Sequence, residues 1–165
     1  MAVACGVKAP DFALTSTKGK SLIFSEVLNR GPLVLGFFKV SCPVCQYAFP
    51  YLERLWQVHK TEATTFLGIS QDNAADTEAF VTRYGLSFPI ALDDPARYIV
   101  SNAYKLTNVP TIYLIDRGGE IQLTSVGWAR RDFEELNLKL SMMNPAQQQH
   151  PLFKPGEQVA EFKAG

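Results

Sequence analysis

The chain has no surplus of either charge. Sixteen Lys and Arg cancel sixteen Asp and Glu, so no net field would draw it to nucleic acid or to an anionic membrane. Long apolar runs are also missing, and none approaches the roughly 20 residues that a membrane-crossing helix needs. The opening MAVACGVKAP has no basic stretch followed by an apolar one, so no secretory leader is read there. A full-length chain would therefore be expected in the cytoplasm, and one that had lost a leader in an extracytoplasmic (periplasmic) space. Histidine occurs twice and cysteine three times, too few for a disulfide framework. A zinc site begun by Cys42 and Cys45 would need two more ligands, yet only Cys5, His59 and His150 remain and none sits in a second paired motif. A copper carrier would need a wider cysteine spacing and a placed histidine. No metal or other cofactor is expected.

What is present is an ordinary globular composition, 47% hydrophobic and 19% charged over 165 residues. That suits one domain with a full-sized core. The densest information lies in GPLVLGFFKVSCPVCQYAFPYLERL, residues 31–55. Leu33 to Phe38 is apolar without alternation, the pattern of a strand buried on both faces. After Lys39-Val40-Ser41 come Cys42-Pro43-Val44-Cys45, and then Ala48, Leu52, Leu55 and Trp56 at helical spacing. Two cysteines three apart on a helix's first turn share one face, close enough to exchange a disulfide. Pro43 falls where a missing N–H costs nothing. The free first-turn amides and the helix dipole favour a thiolate at Cys42. Pro50, more than a turn inside, is expected to kink the helix.

A buried strand leading into C-P-x-C at a helix start, with a proline eight residues after the first cysteine, resembles the thioredoxin-like superfamily. Val109-Pro110-Thr111 before the apolar strand Ile112–Ile115 is similar to that family's cis-proline segment. Ala9-Pro10-Asp11-Phe12 and Ser16-Thr17-Lys18-Gly19-Lys20 resemble the extension found in two branches. These are the alkyl hydroperoxide reductase/thiol-specific antioxidant (redoxin) group and the cytochrome-maturation thiol–disulfide oxidoreductases. The likeness spans about residues 6–140 and implies an α/β fold, a central mixed sheet with helices on both faces. It also implies an N-terminal β-hairpin and a strand–helix insert over 70–104.

Patterning along the chain agrees. Phe12 and Leu14 begin a strand that turns at 17–20 and returns through Leu22 to Phe24. Ser25 reads as the cap of a short helix to Asn29. Thr64–Ile69 is a second buried strand, followed by cap candidates Asp72, Asn73 and Asp76 and a helix ending at Gly85. Phe88–Ala91 reads as a short strand, with Pro89 at its start or on an edge. Asp94-Pro95 reads as the opening of a helix to Tyr104. Ile121–Gly127 reads as a hairpin partner. Asp132 would open a last helix with Phe133, Leu136, Leu140 and Met143 on one face. The redox domain is placed at 1–143. Residues 144–165, with three prolines and three consecutive glutamines, read as an extended or partly disordered tail. Cys5 reads as an incidental cysteine near a mobile terminus, and His59 as a surface or rim residue.

The resemblance implies a thiol–disulfide oxidoreductase acting on protein thiols and disulfides together with a redox partner protein, as a monomer or weak dimer. Cys42 would attack and Cys45 would resolve the mixed disulfide. A cis Pro110 would present the Val109 backbone to an extended substrate, with Phe38, Pro43 and Thr111 lining the same rim. Two departures matter. The position that carries a buried acid in many thioredoxins is Gly36, and the position that carries a glutamate in cytochrome-maturation relatives is Ala48, so no carboxylate stands ready for Cys45. Lys39 could face the thiols or simply be solvated. Two other readings compete. In a peroxiredoxin the peroxide-reducing cysteine would fall on Cys45, but its threonine, proline and arginine would fall on Cys42, Phe38 and about Pro110. A redox-inactive peptide-binding module would have no need of both cysteines.

Overall fold

A computed structural model describes residues 1–61, 63–146 and 150–165. Seven strands form one mixed sheet. They are β1 (Ala13–Ser16), β2 (Ser21–Ile23), β3 (Leu33–Phe38), β4 (Thr65–Ser70), β5 (Ile90–Leu92), β6 (Thr111–Ile115) and β7 (Ile121–Val126), in the order β2-β1-β5-β4-β3-β6-β7. β3 pairs parallel with β4 and antiparallel with β6, which makes it a central strand. All six of its residues are buried, as its unbroken apolar run requires. Its alternate side chains serve two cores. Val34 and Phe38 pack with the helices α2 (Pro43–His59), α3 (Ala74–Tyr84) and α5 (Arg130–Met143), while Leu33, Leu35 and Phe37 pack toward α1 (Phe24–Leu28) and α4 (Ile99–Ala103).

The thioredoxin-like α/β architecture is as expected, but several local details differ. Ser25 does not cap α1: the helix begins at Phe24 after Ile23, with no side-chain cap bond. Asn73 caps α3, accepting the Asp76 N–H at 2.9 Å, and Gly85 ends it in a left-handed conformation. Pro89 precedes β5, which is interior, lying between β1 and β4. The helix expected from Asp94-Pro95 starts only at Ile99. Asp94 closes a turn through the Ala96 and Arg97 amides, and buried Asp93 accepts the Val100 and Ser101 N–H groups instead. Asp132 does not cap α5; it accepts the Ser125 hydroxyl from β7 at 2.8 Å. Met143 is exposed, so the buried face of α5 ends at Leu140 and Ser141. α2 continues through Pro50, whose side is exposed.

The N-terminus is tied down rather than mobile. Val3 N–H donates to Tyr104 O, Thr124 Oγ1 donates to Val3 O, and Gly6 N–H donates to Ile121 O, while Cys5 itself is exposed. His59 is not a rim residue: it is buried and donates through Nε2 to Asn137 Oδ1 at 2.6 Å, joining α2 to α5. The tail packs along the α2–α5 side. Leu152 and Phe153 enter the core, and β9 (Phe162–Lys163) pairs antiparallel with β8 (Trp128–Ala129). Two of these tail contacts explain the order: Arg54 forks onto Glu157 with two 2.9 Å bonds, and Trp128 Nε1 donates to Ala160 O at 2.6 Å. The glutamine run falls on residues 147–149, outside the described residues. Among the described residues no helix is long and apolar enough to cross a membrane.

Candidate active site

β3 ends at the surface and the chain turns through residues 39–41 into α2. Cys42 is the helix N-cap, and Pro43 occupies the first position, where no N–H is wanted. Cys45 N–H donates to Cys42 Sγ at 3.3 Å, the bond a cap side chain makes. The Cys42 thiol in turn donates to the carbonyl of Val109 at 3.3 Å. Val109-Pro110 is a cis peptide bond, so the loop before β6 lies directly against the sulfur. Thr111 Oγ1 donates to Asn108 O at 2.7 Å and braces that loop from behind. Cys42, Cys45, Val109 and Pro110, placed by sequence 64 or more residues apart in their two pairs, thus converge.

The two thiols are not equivalent. Both are free. Cys42 is half-exposed and Cys45 is fully buried in the α2 core cluster. Burial pushes the Cys45 thiol well above its ordinary range; its neighbour Cys42 and the Asp72 carboxylate add to the rise, against a backbone N–H from Lys39 that opposes it. Lys39 does not point its ammonium at the pair: Nζ reaches Tyr98 OH at 3.3 Å and lies over that ring.

Two expected rim residues do not reach the rim. Phe38 is fully buried, wedged between Phe49 and Phe80 with ring centroids 4.5 and 4.9 Å away. Thr111 is equally buried, because its side chain is spent on the loop. Pro43 is exposed and Val109 half-exposed beside Cys42. The absent thioredoxin acid has a steric reason: a Cβ at Gly36 would lie 3.1 Å from Leu52 and 3.3 Å from Phe49. α2 rests directly on that glycine. A carboxylate does approach from elsewhere. Asp72, on the loop after β4, accepts the Val40 N–H at 2.7 Å. Sequence reading treated Asp72 only as a cap candidate, since the parallel pairing that brings the end of β4 beside the end of β3 is a long-range fact. Tyr47 and Trp128 were missed for the same reason. Tyr47 OH accepts the Ala160 N–H, and Lys163 Nζ sits 4.8 Å from the Tyr47 ring. The tail therefore borders the site. Among the described residues no cluster of three His, Cys, Asp or Glu could hold a metal.

Comparison with known proteins is consistent with this geometry. The AhpC/TSA family model matches residues 5–124. The thiol–disulfide oxidoreductase ResA of Geobacillus kaustophilus is 33% identical over 139 residues, covering 84% of this chain and 78% of that protein. Among solved structures, a thiol:disulfide interchange protein from Bacteroides sp. superposes with a TM-score of 0.73 at 23% identity, over 91% of this chain and 97% of its own. The thioredoxin domain of a thiol–disulfide oxidoreductase from Bacteroides vulgatus gives 0.75 at 22%, over 86% and 99%. At those identities the two structures speak for the fold. The family match and the ResA relative speak for descent, and the chain belongs to the AhpC/TSA family as a thioredoxin-like oxidoreductase.

Proposed function

We propose that the protein exchanges disulfides with protein substrates through Cys42 and Cys45, with Cys42 as the nucleophile. The observation that carries this is the asymmetry of the pair. Cys42 is reachable, capped by an amide and set against the Val109 ledge, whereas Cys45 lies buried one turn behind it. In the reductive direction the Cys42 thiolate attacks one sulfur of a substrate disulfide and the other leaves as a thiolate. The Cys45 thiol then loses its proton, attacks Cys42 Sγ and releases the second substrate thiolate, leaving a Cys42–Cys45 disulfide. A second redox protein of the same thiol chemistry resets the pair. Val109, with Pro43 beside it, forms the ledge on which an extended substrate segment rests.

The peroxidase reading is less well supported. It would make Cys45 the peroxide-reducing thiolate, and a buried thiol with a raised pKa is the opposite of what that step requires.

The test uses a Cys5→Ser background, because Cys5 is exposed and would react on its own. With Cys45→Ser, disulfide-linked adducts through Cys42 should accumulate from a lysate run without reductant. With Cys42→Ser, neither adducts nor insulin reduction should remain. Iodoacetamide at neutral pH should label Cys42 and spare Cys45. Adducts on Cys45 in the Cys42→Ser variant would reverse the assignment, and Cys45-dependent peroxide consumption in that variant would favour the peroxidase.

A further inference from the structure

Part of the Val109 ledge is already occupied, by residues 163–165 of the tail, seated backbone against backbone. A Cβ on Gly165 would begin 2.8 Å from Val109 O, 3.2 Å from Gly127 Cα and 3.3 Å from Asn108 Cβ. A Cβ on Gly127 would begin 2.6 Å from Lys163 O and 2.8 Å from Gly165 N. Two glycines set against each other permit this approach, which a side chain at either position would obstruct. The oxygen that Gly165 abuts is the one that accepts the Cys42 thiol at 3.3 Å.

The hold on this stretch is uneven. At residues 160 and 161 it is tight. Ala160 N–H donates to Tyr47 OH at 2.9 Å, Ala160 O accepts Trp128 Nε1 at 2.6 Å, and Glu161 O accepts the Arg130 N–H at 3.0 Å. The Glu161 carboxylate meets Arg130 Nη1 at 3.2 Å. Beyond that point the grip weakens. Phe162 is exposed, β9 is two residues long, and Lys163 Nζ lies 4.8 Å from the Tyr47 ring. Gly165 O takes a 2.8 Å bond from the side chain of Asn108, which is open to water. A bond made in water adds little to a hold. Residues 163–165 can therefore swing away while 160 and 161 stay anchored.

We propose that residues 163–165 are a tethered competitor for the Val109 ledge: an extended segment of a protein disulfide must lift them to reach Cys42, whereas a small disulfide need not. This rests on Val109 being the ledge for protein substrates. The tether sets the selectivity. Its anchor keeps the segment at its seat at a high effective concentration, so only a partner that makes its own contacts along the ledge displaces it. The competition is reciprocal. Whatever seats on Val109 frees the segment, and whatever frees the segment favours seating.

The experiment uses the whole protein in a Cys5→Ser background. Gly165→Ala leaves Cys42, Val109 and the anchor as they are; its Cβ would meet a backbone oxygen at 2.8 Å, and the weakly held segment is what yields. A chain cut after Phe162 removes the segment outright. Both variants should reduce insulin about threefold faster, the worth of one solvent-exposed hydrogen bond, and both should reduce a small aryl disulfide at the wild-type rate. The reciprocal measurement is hydrogen exchange over residues 162–165 in Cys45→Ser. An extended peptide joined through its cysteine to Cys42 should deprotect those amides, and an aryl thiol joined there should not. Insulin rates unchanged in both variants, or amides equally protected with and without the peptide, overturn the proposal. Slower insulin reduction overturns it too, and makes 163–165 part of the docking surface. Failure of the underlying reading looks different: neither wild type nor variant would reduce insulin, while Gly165→Ala would still deprotect residues 162–165.

Discussion

Two parts of the molecule meet at Val109 and are held there by different forces. On one side stands the start of α2, where the Cys42 thiol donates to the Val109 carbonyl. On the other lies the tail: Asn108 Nδ2 donates to Gly165 O at 2.8 Å, and a side chain at Gly165 would begin 2.8 Å from that same Val109 oxygen. The α2 start is secured by neighbours in sequence and by the central sheet. The tail is secured by remote aromatic rings, two strand residues and an ion pair. The reactive pair can therefore be a rigid local device, while what covers its ledge is a separate attachment with its own stability.

The largest effect expected from breaking this division is at Trp128. It is fully buried, its indole lies 4.4 Å from Phe133, 4.8 Å from Tyr51 and 4.9 Å from Tyr47 by ring centroids, and its Nε1 holds Ala160 O. Trp128→Ala removes a core aromatic and the tail's anchor together, at a cost of about 3–5 kcal/mol. For a domain of this size that lowers Tm by about 10 °C. The tail should become protease-sensitive. Cys42 attack on a small aryl disulfide should stay near the wild-type rate below the new Tm, because the thiol is held by the Cys45 N–H and the Val109 carbonyl and not by Trp128. A collapse of that rate in the folded variant would show that the two regions are one.

Gly127→Ala should act chiefly on the tail and more mildly, since its own N–H, which donates to Pro110 O at 2.8 Å, is kept. Gly127 has φ +74°, and a Cβ there would lie 2.6 Å from Lys163 O and 2.8 Å from Gly165 N, both backbone atoms. The left-handed conformation alone costs an alanine about 1–2 kcal/mol, and the clash must push β9 away from β8. Tail amides should lose hydrogen-exchange protection with little change elsewhere. With the tail lifted from Val109, exchange with a folded protein disulfide should speed up while exchange with a small disulfide stays constant. A slowing with protein substrates would instead make the tail part of the docking surface.

The same division governs what could be read from sequence. β3, the C-P-V-C turn and α2 announce themselves by short-range pattern: an apolar run, a cap, a first-turn proline and helical spacing. The hairpin β1–β2 and the strand β6 after Pro110 were legible for like reasons. Asp94-Pro95 misled because a turn and a helix start share the same two-residue signal, and the deciding group, Asp93, is a buried acceptor whose partners lie seven and eight residues on. Phe38 misled because family likeness places its backbone at the end of β3 near the site, while strand alternation sends its ring into the core. Asp72, Tyr47 and the tail left no local mark at all. Their roles depend on contacts across 32, 113 and 103 residues respectively for Asp72–Val40, Tyr47–Ala160 and Arg54–Glu157.

The smallest expected effect separates the two regions by pH. The Arg54 guanidinium, and after it the Lys154 N–H, hold the Glu157 carboxyl down at about 2 from an ordinary value of 4.5. A carboxylate whose folded value is depressed stabilises the fold above its unfolded value and loses that contribution as pH falls through the folded one. The tail attachment should therefore be at full strength above pH 4.5 and should drain away toward pH 2. Both partners are partly open to water, so the effect is modest and should shrink further in high salt. Cys45 adds no matching dependence in that range, since burial displaces its thiol upward. Hydrogen exchange followed from pH 5 to pH 3 should show amides of residues 157–163 opening before those of β3 and the first turn of α2. Arg54→Gln should loosen the same amides at neutral pH and flatten their acid response. If β3 and the tail opened together at every pH, in wild type and variant alike, the tail would be an integral part of the core and its Glu157 clasp incidental.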